Sequence, residues 1–215
     1  MSAVIFDLDG TLLNTLEDLA DSMNAALTQL GWPPHSIESY QYFVGRGLDN
    51  LVRQALPANE QQSSFSFKKL RIAMQKEYSM RWKNKSRPYE GVEVLLNELT
   101  NRHIPLAILS NKPDSFTQNC ATQLLSHWKF TIVSGNRPKT PLKPDPTSAL
   151  EIAQKMNLNS STIFFVGDTD IDMKTAVNAG MIAVGATWGF RSAKELVESG
   201  AHHLIDKPAD LLHYF

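Results

Sequence analysis

The sequence has little of what several protein classes require. Its 215 residues hold one cysteine, Cys120, so there is no internal disulfide framework. The helix-like surroundings of Cys120 mark it as a small buried hydrophobe rather than a nucleophile. No apolar run approaches the length of a membrane span. The 21 Lys and Arg nearly balance the 22 Asp and Glu, leaving a net charge of -1. Neither nucleic acid nor an anionic membrane surface is therefore an expected partner. A strand-like run follows Met1 almost at once, which leaves no room for a signal peptide and makes a cytoplasmic protein the expectation. Repeats and low-complexity tracts are missing. So is a Gly-rich loop after the first apolar run, which argues against a nucleotide-binding α/β domain.

What is present begins with Val4, Ile5 and Phe6, followed by Asp7, Leu8, Asp9, Gly10, Thr11 and Leu12. Alternation along an extended chain points Asp7 and Asp9 the same way. Two such carboxylates repel unless a metal or a proton intervenes. Asp9-Gly10 between apolar runs is also a hairpin signal, so the rest of the chain decides. From Leu16 the spacing turns helical, through Leu19, Ala20, Met23, Ala26, Leu27 and Leu30, with Asn14 or Thr15 as cap and Gly31 as stop. Ser36 opens a short helix toward Gly45-Arg46-Gly47, and Leu48, Leu51, Val52, Ala55 and Leu56 form another helical face. The polar stretch from Asn59 to Phe67 reads as a loop, before a longer helix marked by Leu70, Met74, Tyr78 and Trp82. No strand follows Asp9-Gly10 to pair with it. The hairpin is excluded.

Beyond Pro88, apolar strands at 106–109, 130–133, 163–166 and 181–184, and a weaker one at 203–205, alternate with helical stretches. That alternation predicts right-handed crossovers and an α/β fold: a three-layer, Rossmann-like parallel sheet containing the first strand. The expected domains are a core of residues 1–14 and 87–215 and an all-α insertion of residues 15–86.

In an open parallel sheet, ligands bind beyond the carboxyl ends of the strands. Three strands end there in polar residues: Asp7 and Asp9; Ser110 and Asn111; and Gly167-Asp168-Thr169-Asp170-Ile171-Asp172. Lys143 lies in a proline-rich loop between the last two. Singly, each has an ordinary reading: a helix cap for Ser110-Asn111, a surface lysine, acids answering a helix dipole. Together they compose a site for a divalent cation and a phosphate, and Mg²⁺ favours one or two carboxylates, waters and phosphate oxygens.

The sequence resembles the haloacid dehalogenase superfamily, whose phosphatases carry Asp-x-Asp-Gly-Thr, a Ser or Thr, a Lys and Gly-Asp-x-x-x-Asp in this order. The matching residues are Asp7 through Thr11, Ser110, Lys143 and Gly167 through Asp172. Ser110-Asn111-Lys112, Lys143-Pro144-Asp145-Pro146 and Trp188-Gly189 are similar to the phosphoglycolate phosphatase-like branch. The resemblance implies that Asp7 is a nucleophile forming an aspartyl-phosphate and that Asp9 is its general acid and base. It implies Mg²⁺ held by Asp7, the Asp9 backbone carbonyl and Asp168, with Asp172 and Thr169 in support. Phosphoryl oxygens would meet Ser110, Asn111 and main-chain N–H groups near Asp9 and Gly10, with Thr11 also among the substrate-binding residues. With Asp9 protonated, Asp7, Asp168 and Asp172 give -3 while Mg²⁺ and Lys143 give +3, and a neutral site receives a phosphate dianion. The helical insertion becomes a cap. In it, Arg46 either pairs with a substrate carboxylate, as phosphoglycolate requires, or is a solvated side chain at a helix start.

Asp9 favours phosphoryl transfer over dehalogenation, which has no alkoxide to protonate. No lysine stands beside Gly45-Arg46-Gly47 for the imine chemistry of phosphonatases. Thr169-Asp170 replaces the Ser-Arg often found in the branch, and Leu142 precedes Lys143 where a basic residue is common. A small phosphorylated metabolite is the expected partner, with monomer and homodimer both open. A β-phosphoglucomutase-like mutase, a pyrophosphatase and a non-catalytic regulatory module on the same scaffold remain the alternatives.

Overall fold

The computed structural model describes residues 2–215. Its apolar runs form strands where β-branched and aromatic residues are dense, and every residue of β1 (Ala3–Phe6) is buried. A two-residue strand, β2 (Leu13–Asn14), follows. Four helices come next: α1 (Leu16–Gln29), α2 (Ile37–Phe43), α3 (Leu48–Ala55) and α4 (Ser64–Arg81). After β3 (Arg87–Pro88) the chain alternates: α5 (Val92–Asn101), β4 (Leu106–Pro113), α6 (Asp114–Leu124), β5 (Ile132–Asn136) and α7 (Thr147–Met156). It continues through β6 (Ile163–Gly167), α8 (Asp170–Asn178), β7 (Ile182–Ala186), α9 (Ala193–Glu198) and β8 (His203–Ile205) to a 3₁₀ segment, Pro208–Tyr214.

Six strands make one sheet in the order β5-β4-β1-β6-β7-β8, with every pairing parallel. β2 and β3 form a two-stranded ribbon. From β1 the chain builds outward through β4 and β5, then crosses to the other side of β1 for β6, β7 and β8. The order reverses at β1, and such a switch point opens a crevice at the strands' carboxyl ends. The alternation of side chains separates two faces. Ile5, Leu109 and Phe165 join Ile152 of α7, Met173 of α8 and Leu196 of α9 in one core cluster. Phe164 points the other way, its ring centroid 5.6 Å from that of Tyr214 and 4.9 Å from that of Phe215. The sheet is thus covered on both sides, and the α/β reading holds.

Several boundaries move. α4 starts at Ser64, inside the stretch expected to be a loop, because the Ser63 hydroxyl accepts the Ser66 N–H at 3.2 Å and caps it. β4 runs on to Pro113 instead of ending at Leu109, with a register shift against β5 between those residues. β5 and β7 lie two residues and one residue later than their apolar runs begin.

The chain divides into two compact units, residues 1–14 with 88–215, and residues 15–87. In the second, α4 packs on α1 and α3. Tyr40, Met23, Leu27, Leu70 and Met74 are buried in it. Its two chain ends are fastened together: the buried Asp18 carboxylate in the first turn of α1 accepts the Lys85 and Ser86 N–H groups and the Ser86 hydroxyl at 2.7–3.1 Å. Cys120 is fully buried in α6, in keeping with its reading as a small hydrophobe.

Candidate active site

Asp7 sits one residue past β1, still in register because its N–H donates to Val166 O at 2.9 Å. The chain then folds back on itself. Leu8 O accepts the Leu12 and Leu13 N–H groups at 3.1 and 2.9 Å, and Gly10 N donates to Leu13 O at 2.9 Å. Gly10 has φ +90, and a Cβ there would stand 2.3 Å from Asp168 Oδ2. Only glycine lets this turn close onto the end of β6.

Three carboxylates meet there. Asp7, Asp168 and Asp172 are buried and offer oxygens that all lie within 4.8 Å of one another. Lys143 reaches them from the loop before α7: its Nζ is 2.9 Å from Asp7 Oδ1, 2.7 Å from Asp172 Oδ1 and 3.0 Å from Leu109 O. Each acid is held from behind. Asp168 accepts the Thr11 hydroxyl at 2.7 Å and the Phe190 N–H at 2.8 Å. Asp172 accepts the Thr169 N–H and hydroxyl at 3.0 and 2.6 Å, a capping box that also starts α8. Trp188 Nε1 donates to Thr11 O at 3.0 Å, which ties the loop after β7 to the turn after β1.

The electrostatics follow from burial. Desolvation pushes the Asp7 carboxyl up to about 7, helped by the charges of Asp172 and Asp9 and only partly opposed by Lys143. Asp168 is raised well above the ordinary carboxylate range by burial, with Asp172 and Asp7 adding to it. Burial pulls Lys143 down, but Asp172 and Asp7 outweigh it and hold its ammonium more firmly charged than usual. Three buried acids against one ammonium leave the cluster short of positive charge. A hard divalent cation with a preference for oxygen donors fits this set.

Asp9 is separated from that cluster. Its two carboxylate oxygens lie 2.9 and 3.0 Å from Nζ of Lys112, a buried lysine near the end of β4. In the sequence, Lys112 stands out only within the Ser110-Asn111-Lys112 resemblance, which assigns it no role. A signal was available, because it stands two residues beyond Ser110 in an extended strand and so shares its side. The charge sum drawn from the sequence leaves this ammonium out, and it adds one positive charge beside Asp9.

Ser110 is buried at the carboxyl end of β4, where its hydroxyl accepts the Lys112 N–H at 3.3 Å. Asn111 is tied to the neighbouring loop. Its amide exchanges two hydrogen bonds with the Lys143 main chain, 3.0 Å to the carbonyl and 2.8 Å from the N–H, so it braces the lysine. Gly10 and Thr11 also make contacts within the protein. Their N–H groups are turned inward, to Leu13 O and Leu8 O, and the Thr11 side chain goes to Asp168. The Thr11 hydroxyl thereby supports Asp168, while the Gly10 N–H closes the turn on Leu13. Arg46 belongs to the helical unit, exposed in the turn between α2 and α3 where Gly45 and Gly47 have φ +107 and +86.

Residues 4–186 match the haloacid dehalogenase-like hydrolase family, and the chain belongs to it. A phosphoglycolate phosphatase from Mannheimia succiniciproducens is 33% identical over 212 residues, 96% of this chain and 95% of that protein. One from Psychrobacter arcticus is 30% identical over 216 residues, covering 98% and 94%. Among solved structures, that of a phosphoglycolate phosphatase named by prediction, from Haemophilus somnus, superposes with a TM-score of 0.90. It is 30% identical, with 100% of this chain and 97% of that one covered.

Proposed function

We propose that the protein is a Mg²⁺-dependent phosphatase of small phosphomonoesters that works through an aspartyl-phosphate on Asp7, with phosphoglycolate the first substrate to test. The observation that carries this reading is the division of the two neighbouring acids. Asp7 lies in a cation-seeking cluster with Lys143, while Asp9, two residues away, is held apart on Lys112.

Asp7, Asp168 and the Asp9 backbone carbonyl would hold the metal, with Asp172 and Thr169 supporting them. When bound, the cation supplies the positive charge that lets a carboxylate approach a phosphate dianion. An Asp7 oxygen attacks phosphorus in line, forming the Asp7–phosphorus bond as the ester bond breaks. Asp9 gives its proton to the departing alkoxide, then takes one from the water that cleaves the aspartyl-phosphate. Lys143 and Ser110 bind phosphoryl oxygens. The helical unit acts as a cap, and Arg46 pairs with the carboxylate of phosphoglycolate. The substrate is a small metabolite in a monomeric or homodimeric enzyme of the cytoplasm.

The relatives' names support this substrate, and the four motifs support the reaction class. A panel of phosphoglycolate, β-glucose 1-phosphate and pyrophosphate, scored by kcat/KM with Mg²⁺, tests it. Phosphoglycolate should lead, and Arg46→Ala should erase its advantage over a neutral monoester. An unchanged preference removes Arg46 from the account. Turnover of β-glucose 1-phosphate to an isomer without phosphate release would make the protein a mutase instead.

A further inference from the structure

Lys112, Lys143 and Arg191 are the buried Lys and Arg side chains among the described residues. Lys143 serves the acid cluster, whereas Lys112 has no part in the reaction as proposed. Its side chain is 3% exposed and that of Asp9 10%, so the pair is almost fully withdrawn from water. A buried ammonium persists only where its partner geometry is good. Here Nζ straddles both Asp9 oxygens, at 2.9 and 3.0 Å. A carboxylate gripped by both oxygens loses its rotation about χ2, which a single contact would leave.

The lysine is itself anchored at the main chain. Its N–H donates to Ser110 Oγ at 3.3 Å, and its carbonyl accepts the Thr117 hydroxyl of α6 at 3.2 Å. Gly135 of β5 closes the remaining side, since a Cβ there would lie 2.8 Å from that same carbonyl. The side chain therefore leaves a fixed point on β4 and reaches the turn after β1, 103 residues earlier in the chain. Asp9 lies beyond the end of β1, in a turn rather than in the sheet, and Lys112 couples its carboxylate to the sheet.

We propose that Lys112 is a positioning residue that fixes the Asp9 carboxylate at the angle from which it meets the leaving-group oxygen. This rests on the acid–base role given to Asp9 above. Removal of Lys112 should therefore hurt only those substrates whose leaving group needs a proton. It should leave binding intact, because the ion pair of Lys112 is made with Asp9.

The test is leaving-group release in a single turnover, with enzyme in excess and Mg²⁺ present, from an alkyl phosphate and from a nitrophenyl phosphate. An alkoxide must be protonated to depart, whereas a nitrophenolate departs without help. Lys112→Met should slow the alkyl ester about 100-fold, the span of one general acid, with the nitrophenyl ester little changed and the half-saturating enzyme concentration retained for both. Lys112→Arg, which can fork onto both oxygens, should restore most of the alkyl rate. The double variant Asp9→Asn, Lys112→Met leaves no unpaired buried charge and should match Asp9→Asn alone, because both changes act on one event. Mg²⁺ should raise the melting temperature of Lys112→Met as it does that of the wild type.

Equal losses on both esters, a raised half-saturating enzyme concentration with the maximal rate unchanged, an additive double variant or a lost Mg²⁺ stabilisation would each overturn the inference. If Asp9→Asn itself spares the alkyl ester, the acid–base role of Asp9 fails and takes this inference with it. If Asp9→Asn is slow on the alkyl ester while Lys112→Met slows both esters equally, only the inference fails.

Discussion

At the scale of single residues, burial separates Asp7 from an ordinary aspartate. Its folded-state pKa of about 7 lies above the unfolded value of 3.8, so the native state holds a proton that the unfolded chain has already released. The sign is set by that difference: this group's contribution to stability falls as pH rises from about 4 to about 7, then levels. In chelator, Asp7→Asn should therefore melt above the wild type at pH 8, with the gap closing toward pH 4. A constant gap, read by calorimetry, would contradict the buried-acid account. Protons and metal compete for the same oxygens, so stabilisation by Mg²⁺ should shrink as pH drops below about 7. Gly189 makes a second residue-scale case, because a Cβ there would stand 2.2 Å from Asp168 Cβ. Gly189→Ala should displace that acid and weaken Mg²⁺ binding, as measured by titration calorimetry, while Gly31→Ala, which meets no neighbour and strains only its own left-handed turn at φ +74, leaves binding unchanged.

At the scale of elements, the site is a property of strand ends. β1, β4 and β6 lie side by side, and each delivers its acid or hydroxyl where the apolar run stops. That much was legible, because a short apolar run ending in polar residues is a local pattern. Other features were not local. The length of β4 depends on a register shift against β5, and the start of α4 on one serine bonding back to its own backbone. Asn111 and Thr11 were recognised by motif, yet their partners, Lys143 and Asp168, come from segments 32 and 157 residues away. Spacing along a chain does not encode such pairings. The Asp18 clasp is another of them, 68 residues across, and it makes a prediction for α1. Asp18→Ala strips three donors of a charged acceptor, at about 1.5–3 kcal/mol for each such hydrogen bond. Amide exchange should quicken first in α1 and in residues 84–87, and protection equal to wild type there would rule the clasp out.

At the scale of the whole molecule, two compact units and one parallel sheet account for the order of the motifs. A chain that leaves the sheet after β1 and returns at Pro88 keeps all the acids, Lys112 and Lys143 in the same unit. Family membership follows from residues 4–186, and the relatives match nearly end to end. Composition had no power over the substrate, since recognition of a leaving group rests on a few side chains rather than on bulk charge.

The central claim is that Asp7 carries the phosphoryl group. The direct measurement is mass spectrometry of the enzyme, acid-quenched during turnover of phosphoglycolate with Mg²⁺ and digested. The account predicts one added phosphoryl group on the peptide that holds Asp7, absent in Asp7→Asn and absent without the metal. Undiminished turnover by Asp7→Asn, or a phosphoryl group on any other residue, would contradict it.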